Sequence, residues 1–231
     1  NGKVALYWYT KAAEQGHAKA QFNLGNMHRV GKEIPQNSEL AAYWLIKSAE
    51  QEHMVAQYNM GVAYAHGEGV PKNISAALNW YNKAAEQGHA KAEYQLGLMH
   101  KRGDGVSQSD EAAVIWFTKS AAQDNASAQF NLGLMFDEGT GVIENSKTAA
   151  HWYTLATQQG YAEAQLRLAL MYEVGRGVPK NAPTALKLFA LAAEQGVALA
   201  QYNMAVAFET GKGAPKDLTL AFEWYRQAAE Q

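Results

Sequence analysis

A chain of 231 residues with 48% apolar content and a formal charge of −2 has ample apolar surface to fold and no basic excess for nucleic acid or an anionic membrane. It contains no cysteine, which excludes disulfides, thiolate zinc sites and a cysteine nucleophile. No apolar run approaches the ~18 residues of a membrane-spanning helix, and the opening NGKVALYWYT does not read as a secretory signal.

The chain repeats itself every 36 residues. Gly25, Gly61, Gly97, Gly133, Ala169 and Ala205 form one column of small residues. Trp8, Trp44, Trp80, Trp116, Trp152, Leu188 and Trp224 form another, which holds all six tryptophans. A fixed period of this length marks a stacked array of small units rather than a globule with one core. Residues 1–16 are expected to form the second helix of an incomplete repeat. Six helix-turn-helix units follow, at 17–52, 53–88, 89–124, 125–160, 161–196 and 197–231, for thirteen helices in all. A chain that opens within a repeat and stops at AAEQ reads as a piece of a longer array.

The unit 53–88 shows the design. Its first helix, A, is expected from about His53 to His66, with Ala56, Gln57, Met60 and Tyr64 on the buried stripe at helical spacing. Gly61 lies mid-helix, where glycine costs about 1 kcal/mol against alanine. Alanine stands there at Ala169 and Ala205, so the column demands small size for close helix approach. Gly67-Glu68-Gly69 ends helix A, with Pro71 beyond it, and Asn73 or Ser75 can cap the second helix, B. Ala77, Trp80, Tyr81, Ala84 and Ala85 give helix B a wide apolar face. Gly88 closes the unit in the column Gly16, Glu52, Gly88, Asp124, Gly160, Gly196. Glu52 tolerates a left-handed backbone poorly, so the junction there is expected to differ. The first full unit has Glu33 where the second turn glycine stands elsewhere.

These residues resemble the Sel1-like repeat family, a relative of the tetratricopeptide repeat. Its pattern is matched by Ala90, Ala92, Leu96, Gly97, Gly103, Gly105 and Val106, then Ala113, Trp116, Phe117, Ala121 and Ala122. The departures are Leu188 for Trp, Glu33 for Gly and Glu93 for Gln. The resemblance implies an all-α, right-handed superhelical solenoid that binds other proteins and is not an enzyme. It also favours a bacterial periplasmic or secreted location, with any signal peptide outside this sequence.

Chemistry finds little purchase in the residues themselves. His17, His53 and His89 share a column, but helices one repeat apart stand about 8–10 Å from each other, too far to share a metal bonded at about 2 Å. His28 and His100 are two repeats apart. The G-x-G turns close a helix, whereas a phosphate loop opens one after a strand. No catalytic residue, metal or cofactor is expected. A binding surface is more tangible. On the face of helix A opposite the buried stripe run an aromatic column, Phe22, Tyr58, Tyr94, Phe130, Leu166, Tyr202, and an amide column, Asn23, Asn59, Gln95, Asn131, Arg167, Asn203. If helix A lines a concave surface, these suit an extended peptide, although the rings could equally pack between successive A helices. Charges on helix A also segregate, with Lys19, Arg29, Lys91, Lys101 and Arg102 early and Asp137, Glu138, Glu163, Glu173 and Glu209 late. The expected partner is a protein or peptide bound on that face. The alternative is an envelope glycan or a peptidoglycan enzyme. A purely structural spacer is the third reading.

Overall fold

The computed structural model describes residues 2–32 and 34–230. Glu33, in the place of the missing turn glycine, lies outside the described residues, as do the boundary residues Asn1 and Gln231. Thirteen α-helices and no strand are present among the described residues. The fold is an all-α solenoid of paired helices, in two compact units, Asn1–Ser109 and Asp110–Gln231. The first unit holds α1 (Gly2–Glu14), α2 (Ala18–Val30), α3 (Ser38–Glu50), α4 (Met54–His66), α5 (Ile74–Glu86) and α6 (Ala90–Arg102). The second holds α7 (Asp110–Ala121), α8 (Ala126–Glu138), α9 (Ser146–Gln158), α10 (Ala162–Val174), α11 (Ala182–Glu194), α12 (Ala198–Thr210) and α13 (Leu218–Ala229). Even-numbered helices are the A helices of their repeats and odd-numbered ones the B helices. Within each unit a B helix packs on its own A helix and on the A helix that follows.

Local chemistry sets the ends of each helix. All six A helices are followed by a glycine in the left-handed region whose amide returns to the last turn, as Gly67 N does to Ala63 O at 2.8 Å. Helix B begins with a side-chain cap. Asn73 Oδ1 accepts from Ala76 N at 3.0 Å, and Asn37, Asn145, Asn181 and Asp217 do the same in their repeats. Asn73, not Ser75, is the cap. Its own amide donates to Tyr64 O at 2.8 Å, which fixes the turn between the helices.

The small-residue column does what its size suggested. A Cβ placed on Gly61 would lie 2.5 Å from the Tyr81 ring, and one on Gly133 would lie 2.6 Å from the Tyr153 ring. The helix B ring therefore lies directly on the backbone of helix A. The second glycine of each turn has a separate cause that periodicity alone did not show. A Cβ on Gly177 would fall 2.2 Å from Ser146 O, and one on Gly141 would fall 2.5 Å from the Asp110 backbone. That glycine lets the turn press against the start of the preceding helix B.

Polar side chains also link the helices. Gln57 is 3% exposed. Its Nε2 donates to Ala49 O at the end of α3, 3.2 Å away, and its Oε1 accepts from Gln87 Nε2 at the end of α5, 2.7 Å away. One amide thus ties three successive helices. Gln21 repeats the arrangement with Ala13 O and Gln51, and Gln129 repeats it with Ala121 O and Gln159. The junction at Glu52 differs from expectation by being ordinary. Glu52 adopts φ 62° and Asp124 φ 58°, in line with the glycines of their column. His53 N reaches Ser48 O as His89 N reaches Ala84 O, so the backbone hydrogen bonds hold the left-handed turn whatever the side chain.

Two measurements check this account. Gln57→Leu removes the bonds to Gln87 Nε2 and the Ala49 carbonyl, which keep Glu52 O and the Glu52 amide as their remaining partners, and is expected to cost about 1 kcal/mol in urea unfolding; the exposed control Gln158→Leu stays within about 0.5 kcal/mol. Glu52→Gly relieves a left-handed cost of about 1–2 kcal/mol and pays part of it back in glycine entropy, for a net gain of about 0.5–1 kcal/mol. A loss of stability in Glu52→Gly would show that the side chain supports the junction.

Candidate functional site: the helix A face

Helix A presents its buried glutamine to the stack, and the next two residues emerge beside it. These are the aromatic and amide columns. The aromatics are not loose in a groove. Phe22 stacks on His53 with ring centroids 4.5 Å apart, Tyr58 on His89 at 4.6 Å, and Phe130 on Tyr161 at 5.0 Å. Each ring of one repeat lies against the residue that precedes helix A of the next. Tyr58 and Phe130 also meet Tyr81 and Tyr153 at 5.9 and 6.0 Å. Tyr94 is half-buried and engaged as well. Leu166 is buried, while Tyr202 is half-exposed and meets Tyr225 at 5.6 Å. The column serves mainly as packing between repeats.

The amides divide by unit. Asn131 Nδ2 donates to Ser127 O and Asn203 Nδ2 to Leu199 O, each one turn back in its own helix. Asn23, Asn59 and Gln95 are half-buried and their side chains have no hydrogen-bond partner among the described residues. Arg167 is exposed and forms no ion pair there. A half-buried carboxamide with both ends unspent is costly unless water or a ligand satisfies it.

The acidic end of helix A is less charged than its sequence suggests. Asp137 is buried, and Arg176 Nη2 lies 2.6 Å from its Oδ1, within ion-pair range but off the angle of a hydrogen bond. Lys212 Nζ donates to Glu173 Oε1 at 2.7 Å, and Tyr225 donates to Glu209 Oε2 at 2.7 Å. Each cation comes from the turn of the following repeat, a source that reading helix A alone passes over. No group of three or more His, Cys, Asp or Glu able to hold a metal occurs among the described residues, and no described helix is long and apolar enough to cross a membrane.

The histidines at the start of helix A have a structural role that their column hinted at. His53 Nδ1 accepts from Ala56 N and His89 Nδ1 from Ala92 N, each at 3.2 Å. They cap α4 and α6 as Asn125 caps α8. His17 makes no such bond.

The Sel1 repeat model matches at residues 1–17, 18–53, 55–89, 90–125, 126–161, 162–197 and 198–231. The chain belongs to the Sel1 repeat family. A Sel1-fold protective antigen of uropathogenic Escherichia coli is 36% identical over 97% of this chain, with a TM-score of 0.93. The chain spans 48% of the length of that protein. A Sel1 repeat protein of Oxalobacter formigenes is 33% identical, with 93% of this chain and 86% of that one covered and a TM-score of 0.80. An immunity protein of Pseudomonas aeruginosa shares the fold at 22% identity, with 92% of this chain and 81% of that one covered and a TM-score of 0.52. No curated protein matches the chain.

Burial holds both capping imidazoles below their usual 6.5, with nearby Lys19 and Lys91 adding to the effect. An imidazolium cannot accept at Nδ1. The unfolded histidines take up protons first, so the caps contribute fully above the unfolded value and are lost as pH falls through the lowered folded ones. Stability is expected to drop by about 1 kcal/mol per cap between about pH 7.5 and about pH 5. In His53→Asn with His89→Asn, thermal melts across that range are expected to show this part of the pH dependence removed. An unchanged pH profile would rule out the caps as its source.

Proposed function

We propose that this Sel1 repeat chain is a non-enzymatic scaffold that binds a partner protein or peptide on its helix A face. The observation that carries the reading is the run of uncommitted amides at Asn23, Asn59 and Gln95 in three successive repeats. Carboxamides offer a donor and an acceptor each, which matches the alternating groups of an extended main chain. Their regular spacing along stacked A helices suits a polymeric ligand better than a small one. The scaffold role is also the one that this fold supports. In the first unit Phe22, Tyr58 and Tyr94 flank the row; in the second, the equivalent positions hold Phe130, Arg167 and Tyr202, with Asn131 and Asn203 offering the oxygen that their local bonds leave over.

A glycan ligand would draw on free ring faces. Phe22, Tyr58 and Phe130 each have one face taken by the next repeat, which weighs against it. The antigenic character of the E. coli relative supports a place at the bacterial envelope or beyond it.

The test is affinity capture with the intact chain against the triple variant Asn23→Ala, Asn59→Ala, Gln95→Ala. The three side chains bond to nothing described, so the variant is expected to melt within about 0.5 kcal/mol of the parent. Loss of a specific captured protein by about tenfold or more is expected, at about 1 kcal/mol or less per amide hydrogen bond. Equal capture by the variant would refute the amide row as the binding surface.

A further inference from the structure

The same crevice recurs in the two units, between helix A and helix B of one repeat and helix A of the next, and its contents differ. In the second unit it is bounded by Phe189, Leu186 and Asn203, with Glu173 and Lys212 at the rim. In the first it is bounded by Leu45, Ala42 and Asn59, with Arg29 and Glu68 at the rim. The residues correspond position for position along the repeat.

Four differences set the first crevice apart. Leu45 is the one non-aromatic member of the column Tyr9, Leu45, Tyr81, Phe117, Tyr153, Phe189, Tyr225. With Ala42 in place of Leu186 as well, the space grows from about 20 Å³ to about 320 Å³. The rim is also unlatched. Glu173 and Lys212 close at 2.7 Å in the second unit, whereas Arg29 and Glu68, reversed in sign, form no ion pair among the described residues. Arg29 is held by Asn26 Oδ1 through its Nε and Nη2 at 3.2 and 2.8 Å, which leaves its Nη1 edge available. Finally, Asn203 spends its amide on Leu199 O, while the Asn59 side chain bonds to nothing described.

We propose that this cleft is a subsite for an apolar residue of a partner polypeptide flanked by one acidic and one basic side chain. The carboxylate goes to Arg29, the ammonium to Glu68, the apolar side chain against Val62 over the buried Leu45 and Ala42, and the main chain to Asn59. Charge complementarity selects this occupant: a segment with two like charges meets one attractive and one repulsive rim residue. The volume admits a leucine-sized side chain with its adjoining backbone, because Leu45 leaves open the space that a ring fills at the equivalent positions. The assignment rests on the helix A face being the binding surface and names what one part of that face selects.

The test uses blocked tripeptides with leucine in the centre, followed by calorimetry or by shifts of the Asn59 amide resonances in the full chain. Peptides with glutamate and lysine as flanks, in either order, are expected to bind roughly fivefold or more tightly than peptides with two lysines or two glutamates. A glycine centre is expected to weaken binding by about tenfold. Leu45→Phe restores the ring found at the equivalent position, over a Gly25 that already seats Leu45 closely (2.8 Å from a Cβ built there). It is expected to keep the helical content and melting temperature and to lose about tenfold in affinity. Arg29→Glu with Glu68→Arg recreates the latched rim and is expected to abolish the preference for mixed charge. Equal binding of mixed-charge and like-charge peptides, or undiminished binding by a folded Leu45→Phe, would overturn the assignment. Asn23→Ala with Gln95→Ala, both outside the cleft, separates the two readings. If that pair impairs capture of the natural partner while Leu45→Phe does not, the face is right and the subsite is wrong.

Discussion

A single buried carboxamide in five of the six full repeats, with Glu93 in its place in the other, holds the stack in register. Gln57 has no alternative to its two partners: it is shielded from water, and an unsatisfied amide there would cost more than the bond is worth in solvent. Because it bonds backward to the end of one B helix and accepts from the end of the next, it fixes where helix A sits between its neighbours. Hydrophobic contacts alone would tolerate sliding, since alanine seats are much alike. The directional bonds do not. Everything on the exposed side of helix A inherits its position from this link, including the aromatic and amide columns two steps further along the same turn.

Most of the architecture was legible because it repeats. The small-residue column, the caps and the Trp-Tyr face all show at the period of the array, and the rings resting on Gly61 and Gly133 have the close approach that the column implied. What escaped was which polar side chains meet between helices. The paired glutamines are 30 residues apart within one repeat and the Glu173–Lys212 pair 39 apart across two, so neither pairing shows in an alignment of repeats against themselves. Glu52 was misjudged for a related reason. A propensity attaches to one residue, whereas the conformation there is fixed by hydrogen bonds from its neighbours.

The two columns proposed as one surface turned out to have different physics. The rings are shared between packing and exposure, and the histidines beneath them double as helix caps, so changes there would disturb stability along with any binding. The amides of the first unit touch little and can change at small structural cost. Sequence reading could weigh burial for each column but could not show which amides were already spent, since Asn131 and Asn59 are the same residue in the same place in the repeat.

The pairing of Asp137 with Arg176 and of Glu173 with Lys212 bears on how such a chain can be rebuilt. The backbone is modular at 36 residues, so whole repeats invite exchange. The charges obey a longer rule that spans two repeats. Transplanting a repeat that carries Arg29 to a place followed by the Lys212 turn would set like charges face to face, although every helix would still fit. Repeat order is therefore encoded in the turns, and a module in this array is not a repeat but a repeat together with the turn of its successor.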